Sequence, residues 1–227
     1  MGKNTGTSSQ FSDDVASAQA DRVVAQKKTV GAVERDEVVR AAFREFITSL
    51  KTEDIVVVDE SGTHLGMTRL YARARRGQRA YAQTLRNYGK NVSLIASLNL
   101  AGIGATMTIE GAVDQLAFEA YVQECLVPSL RPGQIVLIDN LSIHKGAQVR
   151  RLIEACGCFL LFLPAYSPDL SPIEKAFSKL KTFLRRVGAL TLDALQQAIA
   201  DGLSRITPRD ALGYFASCGF VLSNQSS

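Results

Sequence analysis

Apolar positions along this chain follow two periods in turn. Val39, Phe43, Phe46, Ile47 and Leu50 recur at i, i+4, i+7, i+8 and i+11, one stripe of an amphipathic helix in a segment that turns helical from Glu34. The β-branched run IVVVD at 55–59 then predicts a strand, followed by a second over 68–74, a third over 92–100 before an Ala-Gly turn, and a short fourth over 105–109. A helix over 114–126, a strand over 135–139, a helix over 145–155 and a strand over 159–163 come next. Ser171 before Pro172 is a strong helix start, with serine as N-cap and proline in the first helical position. Two further helices are predicted over 192–205 and 208–217. β-runs followed by alternating helices and strands imply an α/β fold, a mixed central sheet flanked by helices. Residues 1–26 are polar, small and without period, and are expected to be disordered or a poorly packed arm. Residues 27–50 then form a linker helix, 51–220 one large domain and 221–227 a tail.

Composition bounds the class. The chain has 227 residues, 46% hydrophobic and 21% charged, which is ordinary for a globular protein with a proper core. A net charge of +4 and a pI near 8.9 permit a nucleic-acid partner without establishing one. The distribution says more. Arg69, Arg73, Arg75, Arg76, Arg79, Arg86 and Lys90 fall in one short stretch, and Lys175, Lys179, Lys181, Arg185 and Arg186 in another. The first reads as a hairpin arm lying along phosphates, giving salt-sensitive and sequence-independent affinity. Cys125, Cys156, Cys158 and Cys218 lack metal-ligand spacing and read as idle thiols. The N-terminus has no apolar signal core and no run approaches a membrane span, so a cytoplasmic protein without membrane contact is expected.

The chemistry lies in three acids. Asp59 closes the first strand run and Asp139 the run IVLID, while Glu174 stands inside LPAYSPDLSPIEKAFSKLK. Carboxylates at strand ends meet at the carboxyl edge of a sheet, where open α/β proteins bind ligands, and three together suit Mg²⁺ or Mn²⁺. Each has a plainer explanation alone. Asp59 could end a strand before Ser61-Gly62, and Asp139 with Asn140 could start a turn. Ser171 and Glu174 match a capping box. Glu60 alternates to the opposite face from Asp59 and competes poorly for the same site. Helix geometry favours a site: at about 100° per residue, Ile173, Ala176, Phe177, Leu180, Leu184 and Val187 form the apolar stripe. Glu174, Ser178, Lys181 and Arg185 lie on the strip beside it, at the border of the core.

The segments VVVDES, IDNLSIHK and FLPAYSPDLSPIEKAFSKLK resemble the catalytic domain of mariner-like DDE transposases, in the branch carried by bacterial insertion sequences. The resemblance runs from about Lys27 to Phe220, and 34 residues separate Asp139 from Glu174, the interval typical of that branch. It implies an RNase H-like fold with Asp59 on the first strand, Asp139 after the fourth and Glu174 on a later helix. Those acids would be catalytic residues and ligands for two Mg²⁺ ions, with Mn²⁺ as a substitute. It further implies cleavage and strand transfer on double-stranded DNA at element ends, and a homodimer when active. Asn140 and His144 are candidate supporting residues behind the acids, although a histidine opening a helix is more often structural. Arg69, Arg73, Arg75, Arg76, Arg79, Lys181 and Arg185 are the candidate DNA contacts. The family's end-binding helix-turn-helix is not legible in residues 1–50. The expectation is a second-frame product joined to an upstream helix-turn-helix frame, or a truncated copy. Another RNase H-like nuclease, or a non-catalytic DNA-binding or dimerising fragment that antagonises a full-length transposase, are the alternatives.

Overall fold

The computed structural model describes residues 34–69, 71–81 and 91–222. The expected arm at 1–26, Arg86, Lys90 and most of the tail lie outside the described residues. Ile55, Val56, Val57 and Val58 are all buried because they open a strand covered on both faces. This strand, β1 (Ile55–Thr63), is followed by β2 (Val92–Asn99), β3 (Gly102–Glu110), β4 (Ile135–Ile138) and β5 (Phe159–Phe162). They form one five-stranded sheet in the order β3-β2-β1-β4-β5. The β1–β2 and β2–β3 pairs are antiparallel, and the β1–β4 and β4–β5 pairs are parallel. The sheet is mixed, as the pattern implies.

Alternation along the strands divides the core into two layers. Ile55, Val57, Leu94, Ala96, Leu98 and Leu137 face one side. Packed there are α1 (Glu37–Thr48), α4 (Pro172–Val187), α5 (Leu192–Leu203) and α6 (Pro208–Ser217). Val56, Val58, Ile95, Val136 and Ile138 face the other side, against α2 (Gln115–Tyr121), its π-helical continuation Val122–Leu126, and α3 (Ala147–Ala155). Each fully buried Leu, Ile or Phe contributes roughly 1.5–3 kcal/mol. The buried face of α4, Ile173, Ala176, Phe177, Leu180 and Leu184, therefore seats that helix firmly. Gly202 on α5 permits close approach: a Cβ there would lie 2.5 Å from Leu180 Cδ1. Gly188, with φ of 64°, ends α4 in the left-handed conformation.

The structure corrects several expectations. Val187 is 46% exposed, since it falls in the last turn, past the sheet. No strand forms at the described part of 68–74. Past buried Met67 residues 71–81 are exposed throughout and form no strand, so the expected hairpin arm is not formed among the described residues there. On α1 the buried residues are Arg40, Phe43 and Ile47, whereas Val39 and Phe46 of the expected stripe are exposed. A short helix at the rim buries only a narrow strip, and a charge pair draws Arg40 into it.

Helix α6 opens with a capping box between Thr207 and Asp210, and Lys179 of α4 reaches across to Asp210 Oδ2 at 2.7 Å. The Lys179 ammonium, then the Thr207 hydroxyl and amide, hold the Asp210 carboxyl at about 2, below its ordinary 3.8. A depressed carboxylate pKa stabilises the fold above the ordinary value, and that contribution disappears as pH falls toward the folded value. Asp210→Asn should lower the melting temperature at pH 7 by about 2–4 °C, or ~1 kcal/mol. The gap to the unmodified protein should close as pH drops from about 4 to about 2, which thermal melts across that range would measure.

Candidate active site

The parallel ladder between β1 and β4 begins at Ile55–Ile135 and stops at Val58–Ile138. The next residues on the two adjacent strands are Asp59 and Asp139. Contrary to expectation Asp59 does not end its strand, because antiparallel pairing with β2 carries β1 on to Thr63–Val92. It stands instead where β1 loses its parallel neighbour and the sheet opens. Asp139 lies just past β4. Helix α4 packs over β1 and β2, with Glu174 in its first turn.

These placements bring the three acids together. Asp59, Asp139 and Glu174 line one cavity of about 330 Å³, with Asn140, Leu141, Ser171 and the loop 163–168 completing its wall. The capping box suggested by Ser171 and Glu174 does not form, as Ser171 makes no side-chain cap bond. Its buried Oγ has no hydrogen-bond partner, and the Glu174 side chain is exposed rather than turned back. Tyr166, with φ of 55°, is the one described non-glycine residue in the left-handed region, a conformation costing roughly 1–2 kcal/mol. Pro164 and Pro168 on either side restrict the backbone that holds it.

The cavity is electrostatically frustrated. Burial pushes the Asp59 carboxyl up to about 8, against the Glu60 amide that donates to Asp59 Oδ1 at 2.8 Å. The neighbouring charges of Glu174, Asp139 and Glu60 push the same way. On the far side of Asp139 lies His144, with its side chain wholly buried. Its Nδ1 donates to Asp139 Oδ1, its Nε2 lies 3.1 Å from Glu60 Oε2, and its ring packs against Phe118 at a 38° tilt with centroids 4.2 Å apart. Burial alone would depress this imidazole, but Asp139 and then Glu60 outweigh it and raise the pKa to about 9.

Residues 54–196, more than half of the chain, match the family model of the DDE superfamily endonuclease. The chain belongs to that family. Its fold is that of the Mos1 transposase catalytic domain. The mariner Mos1 paired-end complex with Mg matches with a TM-score of 0.71 at 19% identity, over 87% of this chain and 65% of that one. The Mos1 paired-end complex with the left transposon end matches at 0.65 and 16% identity, over 88% and 64%. The Mos1 catalytic domain alone matches at 0.53 and 15% identity, over 82% and 91%. The chain thus spans less than two thirds of the Mos1 chain in the first two complexes. No curated protein matches it in sequence.

The donor set of this DDE-family cavity fits a hard divalent cation, such as the Mg and Mn named in the Mos1 complexes. All three acids offer oxygen, and a dication would offset the burial and, after it, the neighbouring charges that raise Asp59. Among the described residues no three acidic, histidine or cysteine side chains form a ready-made ion cage. The carboxylates share a cavity and repel one another across it.

Sequence reasoning missed two supports. Glu60 does face away from Asp59, as expected, yet its Oε2 lies 3.1 Å from Nε2 of His144, whose Nδ1 meets Asp139. A histidine five residues after Asp139 was the signal. The second support is Asp169, in the loop before α4. It accepts from Arg40 Nη1 at 3.1 Å and Nη2 at 2.7 Å, and from Arg35. The clustered arginines of α1 opposite a lone aspartate in SPDL were the signal there.

The candidate DNA contacts separate into groups. Arg69 and Arg185 come together, lining a hollow of about 590 Å³ with Tyr71, Thr182 and Arg186. Arg73, Arg75, Arg76 and Arg79 are exposed on the following segment, and Lys181 is half-buried on α4. Lys179 is committed to Asp210. Among the described residues no helix is long and apolar enough to cross a membrane.

Only 1% of the Arg40 side chain is exposed, but Asp169 is half exposed, and Glu37 would remain as an anionic partner of Arg40 at 3.2 Å. Asp169→Asn is therefore expected to cost about 1–2 kcal/mol. Urea unfolding should show this as a lower midpoint with an unchanged slope.

Proposed function

We propose that this chain is the catalytic part of a mariner-like DDE transposase, in the branch carried by bacterial insertion sequences. It would cleave DNA at element ends and join them to target DNA. Residues 51–220 are the catalytic domain, and 27–50 link it to what precedes. The observation that carries the reading is the shared cavity of Asp59, Asp139 and Glu174, drawn from two adjacent strands and the helix over them.

In this reading the three carboxylates hold two Mg²⁺ ions, with Mn²⁺ able to replace them. When bound, such ions lower the pKa of the attacking water or 3′-hydroxyl and neutralise charge on the leaving oxygen. Asp59 and Asp139 present oxygen from rigid strand positions one ladder step past the last parallel pair. Glu174 closes the opposite wall from a helix whose apolar face fixes it. None of the three needs to carry a proton, since position and charge are their contribution. The exposed arginines at 73, 75, 76 and 79, with Arg69, Lys181 and Arg185, contact DNA phosphates. The active species is a homodimer acting in the bacterial cytoplasm at the nucleoid, with end recognition supplied by a helix-turn-helix partner or upstream segment.

Two measurements test this. Asp59→Asn, Asp139→Asn and Glu174→Gln should each reduce Mg²⁺-dependent cleavage and joining of DNA by on the order of 10²-fold or more, and chelation should abolish both. Asp59→Asn should melt no lower than the unmodified protein in chelator at pH 7, because burial and neighbouring acids raise Asp59 to about 8, so folding must protonate it at that pH, whereas asparagine is neutral already. Cleavage without joining would favour another RNase H-like nuclease, and full activity in either aspartate variant would refute the mechanism.

DNA affinity should fall log-linearly with salt, and replacing Arg73, Arg75 and Arg76 by alanine should flatten that slope by roughly one unit per lost contact. Tight, salt-insensitive selection of an inverted repeat over a scrambled duplex would place end recognition within this chain instead.

A further inference from the structure

Consecutive residues of β1 point to opposite faces of the sheet, so Asp59 enters the cavity and Glu60 leaves it. Glu60 nevertheless has a route back. His144 is wholly buried and is engaged at both ring nitrogens, by Asp139 Oδ1 at Nδ1 and by Glu60 Oε2 at 3.1 Å from Nε2. Phe118 supports the ring face. Asp139 Oδ1 also accepts from the Leu141 amide at 3.2 Å. One Asp139 oxygen is thus held on the protein side, while Oδ2 takes no hydrogen bond from any described residue. Glu60 Oε2 and His144 Nε2 face each other as a buried charge pair 3.1 Å apart, and neither atom hydrogen-bonds to any described residue, so it is their mutual attraction that orients them.

We infer that Glu60 is a positioning residue, which fixes the His144 ring and through it the rotamer of Asp139, leaving Asp139 Oδ2 set toward the cavity. The inference rests on the reading of Asp139 as a ligand for a divalent cation. Hydrogen-bond partners behind a metal ligand typically change metal affinity by about 10–100-fold when removed. β1 would then serve the site twice, Asp59 directly and Glu60 through the far side of the sheet.

Mn²⁺ titration of the full chain, followed by calorimetry or by the electron spin resonance of free Mn²⁺, tests this without catalysis. Glu60→Gln keeps size and one hydrogen-bonding oxygen, and should weaken Mn²⁺ binding about tenfold or more at an unchanged melting temperature. His144→Gln should do the same. The double variant should lose little beyond either single one, because the two residues act in series. Unchanged Mn²⁺ affinity in Glu60→Gln would overturn the inference while leaving the proposed function intact. So would losses that simply add, or a loss matched by a fallen melting temperature. If the unmodified chain binds no Mn²⁺, or Asp139→Asn binds it as well as the unmodified chain, the proposed function fails and this inference with it.

Discussion

The short parallel ladder between β1 and β4 governs the rest of the molecule. Its pairs run from Ile55–Ile135 to Val58–Ile138 and set two chain segments, far apart in sequence, in one register. Because that register is fixed by hydrophobic residues buried on both faces, a slip of one residue would turn every side chain to the wrong layer. The same register carries Asp59 and Asp139 to neighbouring positions one step beyond the ladder. Antiparallel pairing with β2 then holds β1 straight past that point, so Asp59 sits on a rigid strand and not at a frayed end.

Charge at this place is costly, and the surroundings are arranged around that cost. Burial and three neighbouring acids disfavour ionised Asp59. On the other face, His144 joins Asp139 and Glu60 and offsets part of the excess negative charge. An acid-rich cavity of this kind favours a bound cation over empty solvent, because a dication gains from all the charges that repel one another. The donor chemistry, the orphaned Ser171 hydroxyl and the strained Tyr166 all line the same cavity. Membership in the DDE superfamily endonuclease family and the Mos1-like fold are consistent with that arrangement.

A second constraint runs from the rim. Arg40 and Arg35 of the N-terminal segment grip Asp169, two residues before Ser171 and five before Glu174. The loop that delivers Glu174 is therefore tied to α1 on one side and to the buried face of α4 on the other. Midway along α4, Lys179 and Asp210 bind the helix to α6. Position, more than local propensity, keeps Glu174 at the cavity, since the cap bond that would have drawn it aside is not made.

Much of this was already determined by sequence alone. The strands either side of 68–74, the α4 stripe as far as Leu184, and the settings of Asp139 and Glu174 follow from period and from turn chemistry, which act over a few residues and so can be read locally. The PDLSPIE segment shows both the reach and the limit of such reading. Ser171-Pro172 marks the helix start correctly, yet the capping box it suggests gives way to a buried, unpartnered hydroxyl. Only tertiary structure decided that β1 would extend past Asp59, because the extension is made by pairing with a strand some thirty residues on. The expected strand at 68–74 failed for the converse reason, since no described strand pairs with it, and β propensity without a ladder partner does not hold a chain extended in a sheet. Arg40 with Asp169, and Glu60 with His144 and Asp139, are pairings between distant segments. A pattern of hydrophobic and polar positions records that such residues are polar, and the packing of whole elements decides what they meet.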